Sequence, residues 1–267
     1  MISVIIPCLK KSELCPELKL IKNLIIVDDK TCSGTPGQKR NWAANQAKAK
    51  ILAFIDSDAY PAKNWLKNAV KLLRQPNLAA VCGPGLTPPN DSSRQKLAGL
   101  VWSTKPGAAT LTYRCRPEQP RLVDDYPSFN FIIKKKDFLK AGGFKQKFWP
   151  GEDTQLCHDL VYRLGKKILY SPEIVVYHHR RPVFKEHLQQ AARYGRQRGR
   201  FVRLYPKTSL RLIYFLPLLI PLILPLYILL LTFGSFYYRS FFYAPAVLLT
   251  HLTYGVSFVK GMWFTSK

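Results

Sequence analysis

"AFIDSDAYP", residues 53–61, is the stretch on which the reading of this chain turns. A mostly apolar run leads into Asp56 and Asp58, with only Ser57 between them. Two ionised carboxylates about 5–6 Å apart repel by roughly 3 kcal/mol at an effective dielectric near 20. A strand that ends this way needs something to offset the repulsion, such as a divalent cation or a network of ligand hydroxyls. The plainer alternative is a turn in which an Asp caps a helix starting near Ala62, with Pro61 at its first position.

The strand belongs to a series. "SVIIPC" (3–8), "NLIIVDD" (23–29), "ILAFIDSD" (51–58) and "LAAVCGP" (78–84) are short apolar runs of the kind buried on both faces of a parallel sheet. Between them, "QKRNWAANQAKAK" (38–50) has helical composition. "AKNWLKNAVKLLRQ" (62–75) adds Trp65, Ala69, Leu72 and Leu73 at helical spacing. The alternation predicts an α/β fold with a mostly parallel sheet flanked by helices. The carboxyl edge of such a sheet is where open α/β folds bind ligands. Residues 87–125 turn to Pro, Gly and polar types and are expected to form a long loop, with one helix around 95–102. Regularity returns in "FNFIIKKKDFLKAGGF" (129–144), "PGEDTQLCHDLVYRLG" (150–165) and the strand-like "KILYSPEIVVYHH" (167–179). Leu156, Leu160, Val161 and Leu164 form a helical stripe that Gly165 can close.

The chain has 267 residues, a net charge of +25 and a pI near 10.0. Its length suits one sizeable domain plus an appendage. The charge calls for a polyanionic neighbour: nucleic acid, an anionic membrane face or a phosphate-bearing substrate. Basic residues crowd between 180 and 211, directly before an apolar region. Nucleic acid is set aside, since no nucleic-acid module is present and such a binder needs neither apolar spans nor paired acids at a strand end. The six cysteines (8, 15, 32, 82, 115 and 157) include no CxxC pair and read as reduced, partly buried thiols of a cytosol-facing domain. "MISVIIPCLK" enters a strand without a basic n-region or cleavage site, so no signal peptide is expected.

Residues 212–238 carry no charge, and 240–259 carry only His251 as a group that can become cationic. Twenty or more such residues, at about 1.5 Å each, span roughly 30 Å, the thickness of a bilayer core. Pro217, Pro221 and Pro225 recur every fourth residue, which membrane helices tolerate. With the basic flank on one side and Lys260 and Lys267 on the other, the positive-inside rule predicts a transmembrane hairpin with both ends cytosolic. A hydrophobic hairpin lying in the interface is the alternative.

The order of these blocks resembles the family 2 glycosyltransferases, which have the GT-A fold of a nucleotide-sugar-binding α/β domain. "SVIIPC" matches the opening strand, and "IIVDD" the second, whose terminal acid contacts the nucleotide. "GQKRNWAANQAKAKILAFIDSDAYPAKNWL" follows the family's run from an Arg-Asn helix to DxD. "FNFIIKKKDFLKAGGFKQKFWPGED" matches the acceptor-side block that ends in a Glu-Asp pair. The resemblance covers roughly residues 2–200. One departure is the spacing of about sixteen residues between the first two strands, where the family usually fits a longer helix. It implies a truncated helix or a remodelled base-binding wall.

By this resemblance the chain is a bacterial-type, membrane-anchored, inverting hexosyltransferase. It would use a nucleotide-diphosphate sugar and Mg²⁺ or Mn²⁺, with residues 1–205 as the catalytic domain. Residues 180–211 would lie on an anionic lipid face, 210–262 would form the hairpin, and the whole would be a multi-pass protein of the inner (plasma) membrane. Pro7 and Asp28 or Asp29 would line the nucleoside pocket, Asp56 would face the ribose, and Asp58 would hold the metal, completed by His178. Lys39 and Arg40 would reach the phosphates, and Asn130 joins the nucleotide-sugar set. Asp153, beside Glu152, would be the catalytic base, although both acids also suit a helix N-terminus. "QAARY" (190–194) resembles the QxxRW motif, with Arg193 towards the diphosphate and Tyr194 beneath an acceptor sugar, where Trp149 could also stack. An amphipathic interfacial helix explains the same residues. A base is needed by a sugar hydroxyl and not by a polyprenyl phosphate. The preferred acceptor is therefore a lipid-linked or cell-envelope saccharide, with polyprenyl-phosphate glycosylation and a non-catalytic membrane scaffold as the alternatives.

Overall fold

The computed structural model describes residues 1–21 and 23–264, so Lys267, counted above among the cytosolic charges, lies outside the described residues. The chain runs β1 (Ile2–Pro7), β2 (Leu24–Val27), α1 (Pro36–Gln46), β3 (Ile51–Ile55), β4 (Ala59–Pro61), α2 (Trp65–Leu73), β5 (Leu78–Cys82), β6 (Gly85–Leu86), α3 (Ser93–Ser103) and α4 (Lys105–Ala108). It continues with β7 (Arg121–Val123), β8 (Asn130–Lys134), α5 (Lys135–Ala141), α6 (Glu152–His158), β9 (Lys167–Tyr170) and β10 (Val176–His178). The last helices are α7 (Lys185–Leu204), α8 (Pro206–Ser209), α9 (Leu212–Leu219), α10 (Leu224–Tyr237) and α11 (Tyr243–Trp263).

The apolar runs form a seven-stranded sheet in the order β2-β1-β3-β8-β5-β9-β7. Val4, Ile5 and Ile6 of β1 and Leu52, Ala53, Phe54 and Ile55 of β3 are fully buried, as strands covered on both faces must be. The sheet is mixed, which corrects the expectation of a mostly parallel one. β1 runs parallel to β2 and β3, and β5 parallel to β9, but β8 is antiparallel to both β3 and β5, and β7 is antiparallel to β9. Apolar composition reports burial and carries no information on strand direction. The single run expected over 167–179 is two strands in two sheets. β10 leaves β9 to join a three-stranded sheet, β4-β10-β6.

Among its described residues the short β1–β2 connection contains two 3₁₀ turns, Lys11–Glu13 and Pro16–Leu20. Cys15 N donates to Ser57 O at 3.1 Å, which ties this connection to the Asp56–Asp58 turn. The capping alternative for that turn fails. Pro61 lies in β4, α2 begins at Trp65, and its N-cap Asn64 makes no side-chain cap. α1, by contrast, starts with a full capping box between Thr35 and Gln38, with Pro36 at its first position.

The chain divides into two units, Met1–Leu86 with Arg116–His178, and Thr87–Cys115 with the chain from His179 onward. The expected loop over 87–125 is thus largely structured as α3, α4, a 3₁₀ turn and β7, and its first part belongs with the C-terminal helices. In the second unit Ala98, Val101, Val183, Ile220, Tyr227, Leu231, Tyr243, Ala246 and Val247 make one buried apolar cluster. α7 and α11 meet through glycines. A Cβ on Gly199 would lie 2.0 Å from Phe258 O, and one on Gly261 would lie 1.8 Å from Arg196 O.

Among the described residues one segment, Leu212–Tyr237, is long and apolar enough to cross a membrane. It comprises α9, a 3₁₀ turn and α10, and its three prolines fall inside α9, in that turn and in the first turn of α10. The second arm of the expected hairpin is α11. It is helical over 21 residues but packs along α7, the most basic helix of the chain.

Candidate active site

The first unit gathers acids at the carboxyl ends of its parallel strands. β1 ends at Pro7, β2 runs into Asp28 and Asp29, and β3 into Asp56 and Asp58. Antiparallel pairing of β4 with β10 sets His178 opposite Ala59, next to Asp58. The His178 Nε2 and Asp58 Oδ1 atoms are 3.2 Å apart, and the imidazole stacks on Phe129 at 4.9 Å. Asp56, Asp58 and His178 each offer a ligand atom, all within 4.8 Å of one another. Three half-buried donors, two carboxylates and one imidazole, fit a divalent cation such as Mg²⁺ or Mn²⁺ and leave coordination positions open. His178 Nδ1 is buried with no partner among the described residues, so protein contacts alone do not satisfy this ring.

The second acidic pair opens α6 after Gly151, whose φ of +134° suits only glycine. Glu152 is buried and accepts from Gly151 N at 3.0 Å through Oε2. Half-buried Asp153 accepts from Thr154 N at 2.8 Å through Oδ1. Burial raises the Asp153 pKa to about 7, reinforced by the charges of Glu152 and then Asp125, and only partly opposed by the Thr154 N–H bond and then Arg40. Asp125, which sequence reasoning missed, is buried and accepts from Thr154 Oγ1 at 2.7 Å. Its signal in the sequence was the doublet Asp124-Asp125, set between Leu122-Val123 and Tyr126-Pro127.

The other expected site residues divide into exposed and internally committed groups. Asp28 forms an Asx turn, accepting from Thr31 N at 3.0 Å and Thr31 Oγ1 at 2.6 Å, and the hydroxyl bond holds its pKa down. Asp29 keeps 47 % of its side chain exposed and pairs with Lys39 at 2.7 Å. Lys39 is buried, with Nζ also donating to Cys8 O at 2.6 Å. Arg40 is buried too, bonding Asp56 Oδ1 at 2.5 Å with Nη2 and facing Glu152 Oε1 at 3.6 Å with Nη1. Both cations are buried and engaged by neighbouring acids. Asn130 is fully buried, accepting from Trp65 Nε1 and donating to Gly83 O and Ile174 O, so its hydrogen bonds serve the interior. Trp149, just before the Glu-Asp pair, is 47 % exposed. Arg193 and Tyr194 lie exposed on α7 of the second unit, where the Tyr194 ring is 6.3 Å from Trp102.

Over 169 residues the chain is 25 % identical to the pre-mycofactocin glycosyltransferase of Mycobacterium tuberculosis, in both strain CDC 1551 and strain H37Rv. The match takes in 60 % of this chain and 33 % of those proteins, so the chain spans about a third of the curated relatives' length. Among solved structures, the mannosyltransferase PcManGT from Pyrobaculum calidifontis, in complex with GDP-Man and Mn²⁺, aligns with a TM-score of 0.60. Its identity is 16 %, over 99 % of this chain and 88 % of that one. GalNAc-T7 with UDP, GalNAc and Mn²⁺ aligns at a TM-score of 0.50 and 16 % identity, over 79 % of this chain and 51 % of that one. At such identities these two establish a shared fold. The model of glycosyl transferase family group 2 matches residues 51–259, from the strand that carries Asp56 and Asp58 through α11, and by that match the chain belongs to this family.

Proposed function

We propose that this protein is an inverting, metal-dependent glycosyltransferase that moves a sugar from a nucleotide-diphosphate donor to a hydroxyl of a saccharide or lipid-linked acceptor. The observation that carries this reading is the pairing of two unlike acidic sites in one unit. One is a solvent-reaching cluster of Asp56, Asp58 and His178. The other is a carboxylate, Asp153, whose pKa of about 7 suits proton abstraction near neutral pH. The mannosyltransferase and GalNAc-T7 structures hold a nucleotide or nucleotide sugar with Mn²⁺.

Asp58 and His178 would hold Mg²⁺ or Mn²⁺, and Asp56, with one oxygen already engaged by Arg40, would face the ribose and metal side. A cation bound there would supply charge neutralisation for the departing nucleotide diphosphate. Asp29, half-exposed and braced by Lys39, is better placed than Asp28 to meet the nucleoside, with Pro7 at the neighbouring strand end. Asp153 holds the Thr154 amide through Oδ1, and Oδ2 takes the proton of the attacking acceptor hydroxyl. The hydroxyl oxygen then bonds to the anomeric carbon while the carbon–diphosphate bond breaks on the opposite face. One such displacement inverts the anomeric configuration. Exposed Trp149 offers a stacking face to an acceptor ring.

The apolar segment Leu212–Tyr237, preceded by basic α7 and α8, would anchor the chain at an anionic, cytosolic membrane face. α11 is proposed as a second membrane-associated helix. A base at Asp153 favours a hydroxyl acceptor over a polyprenyl phosphate, which is ionised without help.

The decisive experiment offers the purified full chain a panel of nucleotide sugars with Mn²⁺ and, separately, lipid-linked saccharides and bare polyprenyl phosphate. Transfer to a saccharide hydroxyl, lost in folded Asp58→Ala and Asp153→Asn, is the expected outcome. Transfer to bare phosphate that survives Asp153→Asn would establish the polyprenyl reading. No turnover and no donor binding would leave a membrane scaffold.

A further inference from the structure

α1 carries a run, Lys39-Arg40-Asn41, whose three side chains each reach a different loop of the first unit. Lys39 joins Asp29 and Cys8 O, at the ends of β2 and β1. Asn41 makes two hydrogen bonds with the backbone of Phe144, donating to its carbonyl at 2.7 Å and accepting from its N–H at 2.9 Å. Arg40 lies between them, with its side chain 5 % exposed. Its guanidinium bonds Asp56 on the metal side and faces Glu152 on the base side, over the Phe144 ring at 5.5 Å. The absence of a side chain at Gly37, one turn earlier, lets Glu152 press against the helix. A Cβ there would lie 3.1 Å from Glu152 Cγ. A planar guanidinium holds its donors in a fixed fork and so sets the geometry between two carboxylates, whereas the three donors of an ammonium rotate.

We infer that Arg40 is a positioning residue that fixes the separation of the two halves of the site, by clamping Asp56 and Glu152 with one guanidinium. It does not contact the donor phosphates. The inference rests on the glycosyl-transfer reading for its kinetic consequences but not for its structural ones. Removing the clamp frees α6 to drift relative to β3, so Asp153 no longer meets a hydroxyl aligned against the metal-held donor. Misplacement of a catalytic group by about an ångström is enough to cost about a hundredfold in rate.

The test compares wild type with Arg40→Lys, which keeps the charge and loses the fork, and with Arg40→Gln, Glu152→Gln and their double variant. The first readout, hydrogen exchange followed by mass spectrometry, needs no activity. Arg40→Lys is expected to speed exchange in both 56–60 and 151–156 while leaving β1 and β5 protected. Wild-type protection at 151–156 in Arg40→Lys overturns the clamp whether or not any sugar is transferred. The second readout is kinetic. Arg40→Lys is expected to lower kcat by about tenfold or more with the donor KM held within about threefold, and Glu152→Gln in the Arg40→Gln background to add little further loss. A loss seen only as a raised donor KM is the mark of a phosphate contact and overturns the proposal. Should Arg40→Gln fail to fold, Arg40→Lys alone decides through both readouts. If wild type transfers nothing from any donor, the enzymatic reading fails and exchange still decides the clamp.

Discussion

Asp153 shows at the residue scale how the surroundings of one carboxyl set its use. Its ordinary pKa of 3.8 rises to about 7 in the folded chain, chiefly through burial. The folded protein therefore holds this proton more tightly than the unfolded one. Asp153 costs nothing below pH 4, and folding stability falls as pH climbs from about 4 to about 7. Asp153→Asn removes the cost. Thermal melts should show the variant melting above wild type at pH 7.5, with the gap closing towards pH 4. Its kcat should fall by roughly 10²–10⁴, and wild-type kcat should rise with pH through about 7. A variant that melts lower than wild type at pH 7.5 would contradict the buried environment. The acids at 56, 58, 152 and 153 were legible in the sequence because a strand end and a helix start are local patterns. Asp125 was not, since only folding brings its loop to Thr154. Arg40 was legible as a cation, but not its partners or its burial, because Asp56 and Glu152 lie far along the chain and exposure has no local signature.

At the scale of elements, the glycines between α7 and α11 carry a sharp expectation. Gly199→Ala would place a methyl 2.0 Å from a backbone oxygen that has no freedom to withdraw. Overpacking of this kind costs about 1–3 kcal/mol, measurable as a lowered unfolding midpoint in detergent. Gly255→Ala is the matched comparison: its nearest neighbour would be a Leu218 methyl at 3.4 Å, and the expected change is within about 0.5 kcal/mol. Equal losses in the two variants would mean that the helices do not meet as described. β1, β3 and β5 could be read from apolar runs alone. The reversal at β8 and the departure of β10 to the smaller sheet could not, since both depend on pairings between distant segments. α4 and the 3₁₀ turn Ala109–Arg114 also escaped the reading, because Pro and Gly at 106 and 107 suggest loop while the chain here is held in turns.

For the whole molecule, a net charge of +25 and one exposed apolar segment make membrane attachment the central expectation. Leu226 and Leu229 are each 67 % exposed and lie outside the buried cluster of the second unit. Arg at a bilayer centre costs about 2.5–3.5 kcal/mol per residue. Leu226→Arg with Leu229→Arg should shift the protein from salt-resistant vesicle pellets to the supernatant without altering its circular dichroism, and unchanged pelleting would rule out insertion of this segment. The chain's path adds a practical point. It leaves the first unit at Leu86, returns at Arg116 and leaves again at His178, so the folding units are not stretches that one cut can separate. A gene trimmed near residue 205 would deprive Thr104 of its bond to Tyr243 and Gly107 of its bond to His251, and would bare Ala98 and Val101 to water. Such a fragment should aggregate. A soluble enzyme core would have to be stitched together by dropping 87–115 along with the tail and bridging Leu86 to Arg116 with a short flexible insert.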